Sequence, residues 1–253
     1  MAHYKIILSY DGTHFVGFQR QAQARTVQLE FERALAQLGW QGKTILAAGR
    51  TDTGVHASGQ VIAFEMDWLH PTQAMLKALN ARLPEDMAVV SVNTAPADFH
   101  PRYSAVSRRY RYRLFCSPER DPLRERYAWR IWPEPQFLKL VEAAKKITGV
   151  RNFSAFGAPT RPGGHTIREV LSANWHSSKE GLTFEITANA FLYHMVRRVT
   201  NIHVRIGQGL ISMEDYQQAL DSEKKLSPGL AAPQGLTLVE VIYLPGSDTL
   251  AIN

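Results

Sequence analysis

Short apolar runs alternate with amphipathic stripes in both halves of this chain, and that alternation restricts the fold more than any other feature. Residues 4–10 read as a strand closed by Asp11-Gly12. Val27, Phe31, Ala34, Leu35 and Leu38 recur at helical spacing, behind a Thr26 whose hydroxyl is placed to accept from the first free N–H groups. Ile45-Leu46-Ala47-Ala48 and Val61-Ile62-Ala63-Phe64 predict two glycine-bounded strands. Met75, Leu76 and Leu79 mark a helix that starts near Pro71 and ends before Pro84, and Val89-Val90-Ser91-Val92 is a further strand. Strand-helix-strand-strand-helix-strand is the order of a ferredoxin-like split βαβ unit.

The second half repeats the theme. Residues 104–115 predict a long strand, and Phe137, Leu140, Val141, Ala144 and Ile147 a helical stripe ending at Gly149. Residues 169–176 and 182–188 predict a hairpin around Lys179-Glu180-Gly181. Residues 192–206 read as a helix, Ser212-Met213-Glu214-Asp215 opens a shorter one as a capping box, and 236–243 close as a strand. The expectation is an α+β fold of two ferredoxin/RRM-like halves with largely antiparallel sheets, divided into 1–103 and 104–253. The extra helix makes the duplication approximate.

Charge narrows the partners. Lys and Arg number 29 against 23 Asp and Glu, giving +6 and a pI near 9.5. A cationic surplus favours approach to a polyanion, because each neutralised phosphate releases condensed counterions. The single cysteine, Cys116, excludes a disulfide within the chain, and its flanking alternation makes it a strand residue rather than a nucleophile. The apolar stretch at the start is too short for a signal peptide, and no run reaches transmembrane length, which predicts a soluble cytoplasmic protein with no membrane partner.

The loop Gly49-Arg50-Thr51-Asp52-Thr53-Gly54-Val55-His56 is the strongest candidate site. An acid stands between two hydroxyls, close to an arginine, between two strands, and loops on a rigid scaffold are where catalytic residues concentrate. The strand Arg109-Tyr110-Arg111-Tyr112-Arg113-Leu114 places its tyrosines on one face and its arginines on the other. Two uses fit: tyrosines stacking an unpaired base while arginines hold phosphates, or tyrosines in the core with arginines in water. In Phe191-Leu192-Tyr193-His194-Met195-Val196-Arg197, the charge of Arg197 in an apolar helix needs a partner. Asp52 and Glu185 are the candidates, and pairing with Asp52 would lower that carboxyl's pKa. The segment Tyr10-Asp11-Gly12-Thr13-His14-Phe15-Val16-Gly17-Phe18, followed by Arg20 and Arg25, serves either as a contact to RNA backbone or as a surface turn.

Several familiar sites are missing from the sequence. It has neither a phosphate loop nor a dinucleotide-binding glycine motif, and its histidines lack the spacing of a zinc site, so no metal or cofactor is expected. Asp52-Thr53-Gly54 spells the D-T-G of aspartic proteases, but those need two acids sharing a proton, and Arg50 opposes the raised pKa this requires.

The loop at 49–57, with Gly59-Gln60-Val61 behind it, resembles the signature of the tRNA pseudouridine synthase I (TruA) family. The resemblance covers nearly the whole chain. Tyr10-Asp11-Gly12-Thr13, Phe15, Gly17, Phe18-Gln19 and Gln21 resemble its opening; Asn80, Leu83-Pro84, Asp86, Phe99-His100 and Arg102-Tyr103-Ser104-Ala105 resemble its middle. Arg109-Tyr110-Arg111-Tyr112 is similar to its tyrosine strand, and Phe191-Leu192 with His194-Met195-Val196-Arg197 to its late helix. The chain departs from the family pattern at Leu29, Arg151 and Asn201, none of them at a matched site position.

The resemblance implies a pseudouridine synthase fold, its halves joined around a central basic cleft, and a cofactor-free, metal-free isomerisation of uridine in the anticodon stem-loop of tRNA, at positions 38, 39 and 40. Asp52 matches the aspartate that attacks ribose C1′ or uracil C6, and Arg197 its basic partner. Tyr110 matches the tyrosine stacked on the uracil, and Arg50 the arginine filling the helical gap left by the flipped base. Leu236 matches the apolar residue lining the uracil pocket. A homodimer holding tRNA across both subunits is implied in the same way. The alternatives are a synthase for another RNA uridine, or a non-catalytic RNA-binding protein; the aromatic and glycine motif of an RRM is absent.

Overall fold

A computed structural model describes residues 1–161, 163–222, 226 and 229–244. The chain divides into two compact units, one built from Met1–Val106 together with the chain from Thr237 on, the other from Ser107–Leu236.

The first unit starts with β1 (Ala2–Tyr10) and a 3₁₀ turn (Gly12–His14), followed by α1 (Val27–Ala36), β2 (Leu46–Ala47), β3 (His56–Met66), α2 (Thr72–Asn80) and β4 (Met87–Thr94). This is the expected strand and helix order. β1 lies between β3 and β4, antiparallel to both, so that Ile6 faces Ile62 on one side and Val92 on the other. Alternate β1 residues Tyr4, Ile6, Leu8 and Tyr10 are buried. Phe64 of β3 joins this face to α1, its ring 5.9 Å from Tyr4 and 6.1 Å from Phe31. Two side chains set the helix positions. Thr26 accepts from Leu29 N as the α1 cap, and Asn80 at the end of α2 brackets the Val89 peptide, donating to its carbonyl at 3.0 Å and accepting from its amide at 2.7 Å.

The second unit holds β5 (Ala105–Cys116), α3 (Pro122–Glu125), β6 (Trp129–Ile131), α4 (Phe137–Lys146), β7 (Gly149–Asn152), β8 (Ile167–Ser178), β9 (Gly181–Ala188), α5 (Met195–Gly207), α6 (Met213–Ser222) and a 3₁₀ turn (Pro233–Gly235). Its sheet runs β5-β9-β8-β7, antiparallel throughout, with β6 parallel on β5. The expected hairpin is β8–β9. Ser212 caps α6 at the expected position: its Oγ accepts from Asp215 N at 3.0 Å and donates to the Asp215 carboxylate at 2.8 Å. Strand β10 (Leu236–Tyr243) enters the first unit, parallel to β3, with Thr237 beside His56 and Leu238 beside Ala57.

Two features depart from expectation. Helix α5 begins at Met195 rather than 192, because Tyr193 N donates to Ala158 O and His194 takes a left-handed backbone with φ 64°. Elements α3, β6 and β7 are short, with no periodicity long enough to register. As expected, β1 ends at Tyr10, and Asp11-Gly12 begins the 3₁₀ turn that closes it.

A buried polar chain ties the second unit together. Trp175 Nε1 of β8 donates to His203 Nδ1 of α5 at 3.2 Å; His203 Nε2 then meets the Tyr216 hydroxyl of α6 at 2.8 Å, which donates to Ala143 O of α4 at 3.3 Å. With Nδ1 accepting, the imidazole carries its proton on Nε2. Burial lowers the His203 pKa to about 3, so the ring is neutral.

Candidate active site

Asp52 sits in the first unit on a loop whose backbone is fixed by the opening segment. Phe18 N donates to Thr51 O at 3.0 Å, Gly54 N to Phe15 O at 3.3 Å and Val55 N to Asp52 O at 3.1 Å. The Thr51 side chain is held from below by the buried Tyr10 hydroxyl at 2.8 Å. Behind the loop, Gly12 N donates to His56 Nδ1 at 2.9 Å, and Gln60 Nε2 reaches Gly49 O at 3.1 Å. Gly12 has to be glycine, since a Cβ there would lie 2.1 Å from Val55 O. Burial raises the Tyr10 phenol to about 12, against the lowering effect of its bonds to Thr51 and Gln60, so it stays neutral. Thr51 is buried, Asp52 half-buried and Arg50 exposed.

The opening segment therefore holds the acid loop. Sequence reading left its use open, and its signal was the density of glycines and aromatics at 10–18. Tyr10, Gly12 and His56 support the loop, a role that the sequence pattern does not assign to them.

Tyr110, Arg197 and Leu236 belong to the second unit. Tyr110 lies on β5 opposite Ile186 of β9, half-buried, with its ring edge-on to Phe191, centroids 5.0 Å apart at 86°. On the other face of β5, Arg111 donates to Glu185 at 2.8 Å and Arg113 is exposed. Tyr112 shares the Tyr110 face and is fully buried, with its hydroxyl bonded to Ala232 O. The two uses weighed for this strand are thus divided along it: Tyr112 packs the core and Tyr110 keeps partial exposure.

Arg197 and Tyr112 hold one turn. Arg197 Nε donates to Ala231 O at 2.9 Å and Ala231 N returns a bond to Arg197 O at 3.2 Å, while Tyr112 grips the neighbouring Ala232. Burial raises the Tyr112 phenol well above its ordinary value, and the Arg197 charge acts in the lowering direction. Gly235 lies against that phenol, where a Cβ would come within 2.4 Å of Tyr112 Cε1. The buried Leu236 follows directly. Among the described residues, no cluster of three or more His, Cys, Asp or Glu side chains could hold a metal ion, and no helix is long and apolar enough to cross a membrane. Cys116, half-buried at the end of β5, has its thiol pushed up to about 11 by burial and by Glu134.

A family model described as tRNA pseudouridine synthase matches residues 6–104 and 143–244. Arg50, Asp52, Arg197 and Leu236 fall within those stretches, and Tyr110 falls between them. The chain is 39% identical over 246 residues to a tRNA pseudouridine synthase A of Lysinibacillus sphaericus, an alignment spanning 96% of this chain and 100% of that protein. The enzyme of the same name from Listeria welshimeri is 39% identical over 248 residues, covering 96% and 100%. That from Geobacter sp. is 37% identical over 246 residues, covering 96% and 99%.

Proposed function

The chain belongs to the tRNA pseudouridine synthase family, an isomerase family, and from that premise we propose that it isomerises uridine at positions 38, 39 and 40 of the tRNA anticodon arm, with Asp52 as the nucleophile. The Asp52 carboxylate attacks ribose C1′ or uracil C6, and the C1′–N1 bond breaks. The uracil turns, C1′ bonds to C5, the Asp52–substrate bond breaks to free the carboxylate, C5 gives up its proton and N1 gains one. Product and substrate have the same composition, so the balance requires no oxidant, reductant or co-substrate.

The glycosidic bond of a stacked nucleotide is out of reach, so the uridine flips out of the helix. Tyr110 stacks on the freed uracil and takes part in the C5 proton transfer. Arg197 serves as the basic partner of the acid, Arg50 fills the vacated helical position, and Leu236 lines the uracil pocket. The protein acts in the cytoplasm as a homodimer. The observation that carries this reading is the Asp52 loop, in which the flanking Thr51 and Gly54 are bonded through their backbones to Phe18 and Phe15. Its motif lies in a chain that aligns with tRNA pseudouridine synthases over nearly its full length.

An unmodified tRNA transcript bearing C5-tritiated uridine provides the test. Tritium release by the wild type and none by Asp52→Ala, with tRNA binding retained in both, is the expected result. Binding without release from several tRNAs would overturn the isomerase reading in favour of an RNA-binding protein.

A further inference from the structure

The segment entering α5 presents an exposed aromatic ring on a rigid, strained support. Phe191 rests edge-on against Tyr110. Leu192 is buried, and the Tyr193 amide is tied to Ala158 O at 2.9 Å. His194 then adopts φ 64° and ψ 4°, a left-handed conformation that side chains other than glycine enter only at a steric cost. That turn brings the imidazole nearly parallel to the Tyr193 ring, centroids 3.6 Å apart at 27°. Tyr193 nevertheless leaves 54% of its surface in solvent.

Strain of this kind persists where the surroundings over-determine it, and it concentrates at ligand-binding positions. A core role would bury the phenol, whereas this ring is held in place and left open. We propose that the stacked Tyr193–His194 pair is a platform for an unpaired base of the RNA, the nucleotide next to the flipped uridine. The proposal rests on the reading of Tyr110 as the uracil-stacking residue. Phe191 touches Tyr110, and Tyr193 lies two residues further on, at most about 7 Å of extended chain away. Splayed RNA bases are recognised by stacking on aromatic side chains, and two cationic residues, Arg197 and Arg198, follow on the first turn of α5. His194 is a positioning residue that sets the plane of the tyrosine.

The test titrates a hairpin of anticodon-arm sequence against wild type, Tyr193→Ala and Tyr193→Phe, and repeats the titration with each loop nucleotide in turn replaced by an abasic residue. The expected result is roughly ten-fold weaker binding by Tyr193→Ala, wild-type binding by Tyr193→Phe, and unchanged melting temperatures. One abasic position should weaken the wild type by the same factor and leave Tyr193→Ala unaffected. Wild-type binding by Tyr193→Ala, or a loss additive with every abasic position, overturns the platform. So does a change in sedimentation that accounts for the whole loss, because it would assign Tyr193 to a protein contact. Tritium release on the same hairpins separates the two readings: turnover with no effect of Tyr193→Ala overturns the platform alone, and binding through Tyr193 without turnover overturns the isomerase reading alone.

Discussion

The hydroxyls of Tyr10 and Thr51 meet at 2.8 Å in a buried hydrogen bond, one residue before Asp52. This places a strand side chain directly beneath the acid loop, from 41 residues away in the chain.

Tyr10→Phe keeps the ring and leaves Thr51 Oγ1 buried without this partner, a loss of about 1–3 kcal/mol in unfolding stability. If the bond aims the loop, kcat for tritium release should fall ten-fold or more while KM for tRNA stays put, since small misplacements of reacting groups are costly. Thr51→Ser should retain most of the activity. Equal losses in kcat and KM would reduce Tyr10 to a packing residue.

Tyr110→Phe preserves the face that stacks and the contact with Phe191, while removing the hydroxyl. Binding should be retained and tritium release slowed about 10²-fold or more, the scale of a lost general acid–base group. Wild-type release would confine Tyr110 to stacking.

Gly235→Ala forces a Cβ to within 2.4 Å of Tyr112 Cε1, so the turn gripped by Tyr112 and Arg197 must shift. Thermal unfolding should show a loss of about 1–3 kcal/mol. Activity should drop as well, because Leu236 and the Ala231 carbonyl move with the turn. An unaltered kcat with lowered stability would separate the turn from the chemistry.

His203 titrates near 3 in the folded chain and, when unfolded, near the ordinary histidine value of about 6.5. Between those pH values the unfolded chain binds a proton that the folded chain refuses. Stability is therefore complete above pH 6.5 and falls as pH drops toward 3, by up to ~1.4 kcal/mol per pH unit from this group. Urea unfolding at pH 7 and pH 5 measures the slope. His203→Gln should flatten it at the expense of stability at neutral pH; an unchanged slope would assign the acid sensitivity to other groups.

Binding of tRNA should weaken steeply as salt rises, since a basic chain gripping phosphates releases counterions. A flat response would argue against a phosphate grip.

Local structure was legible because its causes are local. The Ser212 cap of α6, the Thr26 cap, the β8–β9 hairpin and the first unit's element order each follow from residues a few positions apart. The start of α5 departs from its sequence pattern for the opposite reason. Residues 192–194 have helical composition, yet the bond of Tyr193 to Ala158 holds the chain out of the helix until Met195.

The sequence by itself determined the α+β architecture, the acid at position 52 and the family, since periodicity, turn chemistry and a contiguous motif are all carried by neighbouring residues. Only the tertiary structure decided what supports the site residues: Tyr10 under Thr51, Gly12 against Val55, and Tyr112 with Arg197 holding the turn at 231–236. Those contacts join residues separated by 34 to 120 positions, a distance at which composition and spacing carry no signal. They form when burial selects which polar groups must find each other away from water.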